Sequence, residues 1–247
     1  MKFVVVLVAP EHPHNVGFCA RAMRANNVEE LRIVWPRKKQ ISAKSWVTAH
    51  GAAEILDSAQ IFSSLKAALH DTQAAVAFSR RFHDTPVPHA SLPNLNDLWQ
   101  GNWHKIALVL GRESQGLSSA ELNLCSWQCE IPMPGKISLN LGQALSVVLY
   151  EIAREQKNIL DGKSEKAVPA MASYTELESL LNFLQENLPD PEKRPPWNEI
   201  ALRQWLHRLN PSSKEVRALF GVFRGWLGIK ARTTKKHCDS NKSQKNI

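Results

Sequence analysis

The 247-residue chain carries a net charge of +8, with 43% hydrophobic and 22% charged residues, which is an ordinary globular composition. This length allows one large domain or two modest ones with a real hydrophobic core. Residues 3–10 are apolar but too few for a signal peptide, and no stretch approaches the length of a membrane span. We therefore expect a cytoplasmic protein without a membrane segment.

The basic charge is concentrated at the C-terminal end of the chain. Residues 230–247 contain six lysines and arginines and one acid, so this tail carries +5 and the other 229 residues carry +3. Such a composition is typical of a disordered segment that adds non-specific affinity for phosphate groups. Four scattered cysteines fit a reducing compartment better than a disulfide framework.

Strand and helix signals alternate through the first 157 residues. Buried strands are predicted at residues 2–9, 31–35, 74–78 and 105–110, and in a short segment ending near Ile131. Helices are predicted from an N-cap at Asn15 to about residue 26, at 46–56, at 61–69, after the capping box of Ser118 and Glu121, and at 141–157. Residues 82–104 are predicted as a long loop. The alternation predicts an α/β domain, a parallel sheet with helices on both faces.

A second region follows a change of composition. Residues 158–173 are predicted as a linker, and apolar stripes within residues 177–184, 202–209 and 216–223 predict three amphipathic helices. The predicted division is a domain at residues 1–157, a linker at 158–173, a small helical domain at 174–229 and a disordered basic tail at 230–247. The aromatic residues of these helices lie on the apolar stripes, so we interpret them as core.

Four polar segments follow predicted strands, at residues 10–15, 79–81, 111–116 and 132–140. In open parallel sheets, ligands bind beyond the carboxyl ends of the strands, and all four segments belong to that edge. Taken alone, residues 132–140 fit an ordinary strand-to-helix connection as well as a loop that presents backbone N–H groups to a ligand. Four such loops at one edge predict a binding site.

Several common sites are absent from the sequence. It contains no Gly-x-Gly-x-x-Gly after the first strand, no phosphate-binding P-loop pattern and no Gly-x-Ser-x-Gly elbow. Cys125 and Cys129 lie near His104 but lack Cys-x-x-Cys spacing, so we expect no metal site.

Three blocks within these loops are more specific. They read Asn-Val-Gly-Phe-Cys-Ala-Arg at 15–21, Leu-Val-Leu-Gly-Arg-Glu-Ser-Gln-Gly at 108–116 and Ile-Pro-Met-Pro-Gly-Lys-Ile-Ser-Leu-Asn at 131–140. Together they resemble motifs 1, 2 and 3 of the SPOUT methyltransferases, in the SpoU/TrmH superfamily that methylates ribose 2′-hydroxyls of RNA. The lead-in to the first block, the Ser-Arg-Arg at 79–81 and the helical C-terminal extension look most like the TrmJ group, which modifies nucleotide 32 in the tRNA anticodon loop.

This resemblance implies a fold, a cofactor and a partner. The family fold contains a C-terminal deep trefoil knot, whereas the sequence pattern alone would predict an unknotted sheet because knots are rare. The family binds S-adenosylmethionine in its knotted loops and dimerises through helices that include the first and last of the domain. The cofactor-binding residues implied here are Ser79, Arg80, Arg81, Leu110, Gly111, Ile131, Pro132, Met133, Ser138, Leu139 and Asn140.

The catalytic residues implied by the motifs are Arg21, Asn15, Glu113, Ser138 and Asn140. A ribose 2′-hydroxyl is a poor nucleophile, so the enzyme must align it with the methyl donor and stabilise charge on the oxygen. A guanidinium stays protonated and is a poor base, so we expect Arg21 to hold the target phosphate and stabilise the incipient alkoxide. Asn15 is expected to fix the loop or the ribose, and Glu113 to orient Arg21 or Asn140.

The resulting hypothesis is an S-adenosylmethionine-dependent tRNA ribose 2′-O-methyltransferase, a homodimer that modifies cytidine or uridine at position 32. Expected RNA contacts are Arg21, Arg24, Arg112, Lys235 and Lys236. The alternatives are the same reaction on ribosomal RNA or at another tRNA position, and a catalytically idle RNA-binding module. One departure from the TrmJ group is that Phe78 and Arg80 replace the small residues usual after the third predicted strand.

Overall fold

The computed structural model describes residues 1–36, 40–80, 85–92, 103–135, 137–160, 170–187 and 199–227. Its centre is a seven-stranded sheet in the order β3-β2-β1-β6-β4-β7-β5, in which every pair of neighbours is parallel. The strands are β1 Lys2–Val8, β2 Glu30–Val34, β3 Gln60–Phe62, β4 Ala74–Phe78, β5 His89–Ser91, β6 Lys105–Leu110 and β7 Trp127–Glu130.

The described helices connect these strands and follow them. They are α1 Pro13–Ala25, α2 Ala43–Thr48, α3 Ala53–Asp57, α4 Leu65–Ala68, α5 Ser119–Leu122, α6 Leu141–Leu160, α7 Tyr174–Asn187, α8 Glu199–Leu209 and α9 Ser213–Trp226. None of these helices is both long enough and apolar enough to cross a bilayer.

Helices cover both faces of the sheet, as the sequence predicted. Successive side chains of a strand point to opposite faces, and β1 accordingly divides its residues between two cores. Phe3, Val5 and Leu7 pack with α1, α3 and α6, whereas Val4, Val6 and Val8 pack with residues of α4 and α5 and with Tyr174. Strands that are buried on both faces need continuous apolar runs, which is why β1 has no alternation of apolar and polar residues.

Two helix predictions were wrong in detail. Residues 61–69 were predicted as one helix, but Gln60–Phe62 form β3, which pairs with β2, and the helix is limited to Leu65–Ala68. The short apolar run was compatible with either structure, and pairing with β2 decided it. The predicted helix at 46–56 is two helices, because the chain turns at Gly51 with a φ of +75°.

Two further predictions differ from the structure. The long loop predicted at 82–104 contains β5, whereas the fifth predicted strand is confirmed as β7, which ends at Glu130. Helix α1 begins at Pro13, so Asn15 is not its N-cap but lies in its first turn with a buried side chain. Proline is favoured at this first helical position because its missing N–H would have no partner there.

The C-terminal helices pack on the sheet that precedes them. Tyr174 N–H donates to the Thr72 carbonyl, Gln73 Nε2 donates to the Met171 carbonyl at 2.6 Å, and Gln204 Nε2 donates to the Cys125 carbonyl at 3.0 Å. The predicted division into two domains stays a prediction. Helix α6 continues to Leu160, three residues into the predicted linker. Residues 161–169 of that linker and the predicted tail at 230–247 lie outside the described residues.

Candidate functional site

A cleft of about 350 Å³ opens at the carboxyl ends of β4, β6 and β7. Its walls come from the three polar segments that follow these strands and from the first turn of α6. The lining residues are Phe78, Ser79, Arg80, Leu110, Gly111, Arg112, Glu113, Ser114, Gln115, Gly116, Ile131, Met133, Ser138, Leu139, Leu141 and Ala144. Three of the four predicted loops therefore meet at one site. The site lies beyond the carboxyl ends of the strands, where ligands of parallel sheets bind.

Most residues predicted to bind the cofactor line this cleft. They are Ser79, Arg80, Leu110, Gly111, Ile131, Met133, Ser138 and Leu139, whereas Pro132 and Asn140 are not in its wall and Arg81 lies outside the described residues. The sequence prediction missed Phe78, Ser114, Gln115, Gly116, Leu141 and Ala144. Leu141 and Ala144 could have been found from their spacing of three residues, which places both on the same side of α6.

Pro132 lies on a neighbouring, more open cavity together with Arg80, Glu130 and Pro134. Arg80 lines both cavities, and its Nη2 donates to the Gly135 carbonyl at 2.9 Å. Its side chain thus joins the segment after β4 to the loop between β7 and α6.

The loop after β6 is folded tightly against itself. Arg112 N–H donates to the Gly116 carbonyl at 3.1 Å and Gly116 N–H donates to the Arg112 carbonyl at 2.8 Å. A Cβ on Gly111 would lie 2.2 Å from the Gly116 carbonyl carbon, so only glycine permits this approach of backbone to backbone. The loop therefore presents main-chain atoms to the cleft.

A chain of hydrogen bonds joins three residues that the motifs singled out. Asn15 Nδ2 donates to Glu113 Oε1 at 2.7 Å, and Asn140 Nδ2 donates to Asn15 Oδ1, also at 2.7 Å. Asn140 Oδ1 then accepts from Gly142 N–H at 2.9 Å at the start of α6. Asn140 is thus both a helix cap and a member of the site. Glu113 orients Asn140 through Asn15 and makes no hydrogen bond to Arg21.

Arg21 lies in a separate groove between α1 and α6. The groove is lined by Phe18, Arg21, Ala22, Ala25, Asn140, Gly142, Gln143 and Ser146. Here the two helices approach closely, since a Cβ on Gly142 would lie 2.6 Å from Phe18 Cβ. Arg21 is exposed, and it makes no hydrogen bond or ion pair with any residue that the structure describes. Asn140 in this groove and Ser138 in the cleft are two residues apart, so the two sites adjoin.

The other arginines predicted to contact RNA have partners within the protein. Arg112 donates from both Nη atoms to the two carboxylate oxygens of Glu121, each at 2.9 Å. Burial opposes ionisation of Glu121, but hydrogen bonds from Arg112 and Ser118 outweigh it and lower its pKa. Arg24 Nε lies 3.1 Å from Glu54 Oε1 in an exposed pair. An RNA contact stays a prediction for both, and the bidentate pair argues against it for Arg112.

The expectation of no metal also stays a prediction. Among the residues that the structure describes, no three His, Cys, Asp or Glu side chains are grouped to hold a metal ion. Cys125 and Cys129 are buried thiols, and burial raises the pKa of both. Buried thiols of this kind are unreactive at neutral pH.

Comparison with known proteins identifies the family. The family model of the SpoU rRNA Methylase family matches residues 2–150. LasT of Escherichia coli, described as an uncharacterized tRNA/rRNA methyltransferase, is 37% identical over 229 residues, covering 85% of this chain and 96% of LasT. The tRNA (cytidine-2′-O-)-methyltransferase TrmJ of Methanocaldococcus jannaschii is 30% identical over 233 residues, covering 89% and 97%.

The solved structures agree with the sequence comparison. The crystal structure of TrmJ from Z. mobilis ZM4 is similar with a TM-score of 0.74 at 26% identity, and the match covers 92% of this chain and 99% of that one. The matched family model includes β1 to β7, α1 and the first half of α6, and thus the cleft, the Arg21 groove and the hydrogen bonds between them. The chain belongs to the SpoU methylase family of RNA methyltransferases.

Proposed function

We propose that this protein is an S-adenosylmethionine-dependent tRNA ribose 2′-O-methyltransferase that acts on cytidine or uridine at position 32 of the anticodon loop. The observation that carries the proposal is the junction of the two sites, where Ser138 lines the cleft and Asn140 lines the Arg21 groove. A cofactor in the cleft and a ribose in the groove would meet at this junction. The TrmJ relatives support a tRNA substrate.

The cleft has the properties that S-adenosylmethionine requires. Its volume of about 350 Å³ lies within the range of small-molecule sites. Phe78, Leu110, Ile131 and Leu139 offer apolar walls, while Ser79, Ser138 and the main chain around Gly111 offer polar groups. When bound, S-adenosylmethionine supplies a methyl group on a sulfonium sulfur, which is already a good electrophile. The protein therefore has no need to activate the donor.

The task left to the protein is to place and stabilise the ribose oxygen. We assign to Arg21 the binding of the target phosphate and the stabilisation of negative charge on the 2′-oxygen as its proton leaves to solvent. Asn140 is held by Asn15 and Glu113, so its amide is fixed beside Arg21 before RNA arrives. Preorganised donors of this kind need no rearrangement during the reaction.

Glu113 is a positioning residue in this scheme. Its Oε1 accepts from Asn15 Nδ2 and from His12 N–H, and its Oε2 accepts from Glu11 N–H. These hydrogen bonds engage both oxygens of the Glu113 carboxylate, so we do not assign it the role of general base. Its function in the proposal is to keep the first turn of α1 and the start of α6 in register.

We also propose a homodimer and a trefoil knot. The groove helices α1 and α6 expose large apolar side chains, with Phe18 45% and Tyr150 63% accessible. Such residues on adjoining helices support burial by a second copy, as in the dimers of the family. Membership of the family supports the knotted path of residues in and after the loop between β7 and α6.

A test of the function starts with purified protein, methyl-labelled S-adenosylmethionine and, in parallel, bulk tRNA and ribosomal RNA. We expect label in tRNA as 2′-O-methylcytidine or 2′-O-methyluridine at position 32, and at least about 100-fold slower transfer after Arg21→Ala. Arg208→Ala is the matched control, because Arg208 is an exposed arginine in the last turn of α8, outside both cavities.

The same assay separates the rival functions. Label in ribosomal RNA alone, or at another tRNA position, would replace the proposed substrate. Cofactor binding without transfer to any RNA would favour the idle module. The intact hydrogen-bond chain from Glu113 to Asn140 argues for an active enzyme. Residence in the cytoplasm stays a prediction, as do RNA contacts by Lys235 and Lys236, which lie outside the described residues.

A further inference from the structure

Two loops that follow neighbouring strands are joined by reciprocal hydrogen bonds, in which a carboxylate of each loop accepts from the other loop. The loop after β1 contains Glu11, the loop after β6 contains Glu113, and β1 and β6 pair directly up to Leu7 and Leu110. Glu113 accepts from the main chain at Glu11 and His12, as described above. Glu11 reciprocates, since its Oε2 accepts from Ser114 N–H at 2.9 Å and its Oε1 accepts from Ser114 Oγ at 2.6 Å.

The family motifs account for only one half of this exchange. Glu113 belongs to motif 2, whereas Glu11 precedes motif 1 and no role was predicted for it. Both oxygens of Glu11 nevertheless bind one residue, Ser114, that lies 103 positions away and lines the cofactor cleft. A carboxylate that accepts from both the main chain and the side chain of one residue fixes that residue in position and orientation.

We infer that Glu11 is a positioning residue for the cofactor cleft: its carboxylate holds Ser114 and thereby fixes the loop formed by residues 111–116. This inference rests on the proposed function, because it assigns the cleft to S-adenosylmethionine. Glu11 itself is not in the wall of the cleft. It acts through Ser114 and, by the same exchange, ties the cofactor loop to the turn that carries Asn15.

The electrostatics of Glu11 agree with this geometry. Its hydrogen bonds from the side chain and the main chain of Ser114 lower its pKa, with smaller contributions from His12 and Arg112. The charged form is therefore the one that the loop binds. The other carboxylate of these reciprocal hydrogen bonds, Glu113, accepts from the main-chain N–H groups of Glu11 and His12 and from Asn15 Nδ2.

The experiment measures the KM for S-adenosylmethionine and kcat in the wild type and in three variants. We expect Glu11→Ala to raise the KM for S-adenosylmethionine about fivefold, the lower end of typical coupling between sites, while kcat with saturating RNA stays within about twofold. Glu11→Gln keeps one carbonyl acceptor and should recover part of the loss. Glu29→Gln is the control, since Glu29 is exposed before β2 and outside the cavities.

A double-mutant cycle tests the partner. Ser114→Ala should raise the same KM in the wild-type background and have almost no further effect in Glu11→Ala, because the two residues act through one contact. Calorimetric titration with S-adenosylmethionine alone gives the same comparison without RNA, and thermal unfolding confirms that each variant is folded.

The outcomes are separable. An active wild type whose Glu11 variants have an unchanged KM and unchanged cofactor affinity would overturn the inference and leave the proposed function standing. Additive effects of Glu11→Ala and Ser114→Ala would overturn it as well. A wild-type protein that neither binds nor uses S-adenosylmethionine would overturn both.

Discussion

Networks of charged side chains lie at both ends of the sheet, and they are built differently. At the amino end, Arg32 and Lys105 contact Glu30 and Asp71. Arg32 pairs with both acids, at 2.7 Å for Asp71, and Lys105 lies 2.8 Å from Glu30 and 2.7 Å from Asp71. Two cations and two carboxylates cancel, and the Arg32 side chain is only 2% exposed. The charges of this cluster are therefore balanced within the protein.

At the carboxyl end, the carboxylates of Glu11 and Glu113 accept from N–H groups, an amide and a hydroxyl. Neither forms an ion pair with the residues that the structure describes, and Arg21 is likewise unengaged there. The two networks therefore differ in what they leave unpaired. Where charges cancel internally, as around Arg32, we expect the network to stabilise the fold. Where a cation has no partner among the described residues, as at Arg21 beside Asn140, we expect it to bind an anionic ligand.

The largest expected effect is on stability, at the amino end. Arg32→Met removes a buried cation and leaves two carboxylates facing one lysine, so we expect a loss of about 3 kcal/mol in the free energy of unfolding. Denaturant unfolding followed by circular dichroism measures it. Arg24→Met is the control, because its pair with Glu54 is exposed and should contribute less than about 1 kcal/mol. Equal losses in both variants would show that the buried network contributes no more to stability than an exposed ion pair.

At the carboxyl end we expect a large effect on activity and a small one on stability. Arg21→Ala should lower methyl transfer at least about 100-fold, the usual consequence of removing one preorganised donor to developing charge. The same variant should change the free energy of unfolding by less than about 0.5 kcal/mol, because an exposed side chain without a partner contributes little. A loss of stability as large as that of Arg32→Met would show that Arg21 is structural.

A smaller effect is expected at the turn beneath the cofactor cleft. Gly111→Ala places a Cβ within 2.5 Å of the Gly116 main chain, so the loop must move and the affinity for S-adenosylmethionine should fall about tenfold. Calorimetric titration measures this change. Gly221→Ala, in helix α9 with open space around its Cβ, should leave cofactor affinity unchanged and stabilise the helix by about 0.5–1 kcal/mol. Unchanged affinity in Gly111→Ala would mean that the loop is not part of the cofactor site.

The smallest expected effect concerns pH. Burial opposes ionisation of Asp71, but hydrogen bonds and charges from Arg32 and Lys105 outweigh it and hold its pKa well below its usual range. Its stabilisation is therefore complete above the ordinary carboxyl pKa of about 4 and is lost as the pH falls below that value. Denaturant titrations between about pH 6 and pH 3 should show a shallower loss of stability for Asp71→Asn than for wild type. An equally steep loss would assign the acid sensitivity to other carboxylates. The control is Asp57→Asn, which should keep the wild-type slope because Asp57 is exposed and lies outside the cluster of charges around Arg32.

Strands and helices with a strong local pattern could be predicted from the sequence. The apolar runs of β1, β2, β4 and β6 and the periodicity of α6 identified these elements to within two or three residues of their ends, because burial on one or both faces imposes a pattern that is visible locally. The short segment Gln60–Phe62 was missed because three residues carry too little pattern to distinguish a strand from a helix. Its pairing with β2 depends on residues far along the chain.

For the site, the order of strands and loops in the sequence was enough to predict which loops lie at the carboxyl edge and which motif residues they carry. The contacts between those residues became visible only in the folded chain. Asn15 meets Asn140 across 125 positions and Glu11 meets Ser114 across 103, and no local pattern reports such contacts. The structure also distinguishes two arginines of the motifs: Arg21 has no partner among the described residues, whereas Arg112 is neutralised by Glu121. Residue type and spacing specify what a side chain can bind, whereas its neighbours in space depend on how distant parts of the chain pack together.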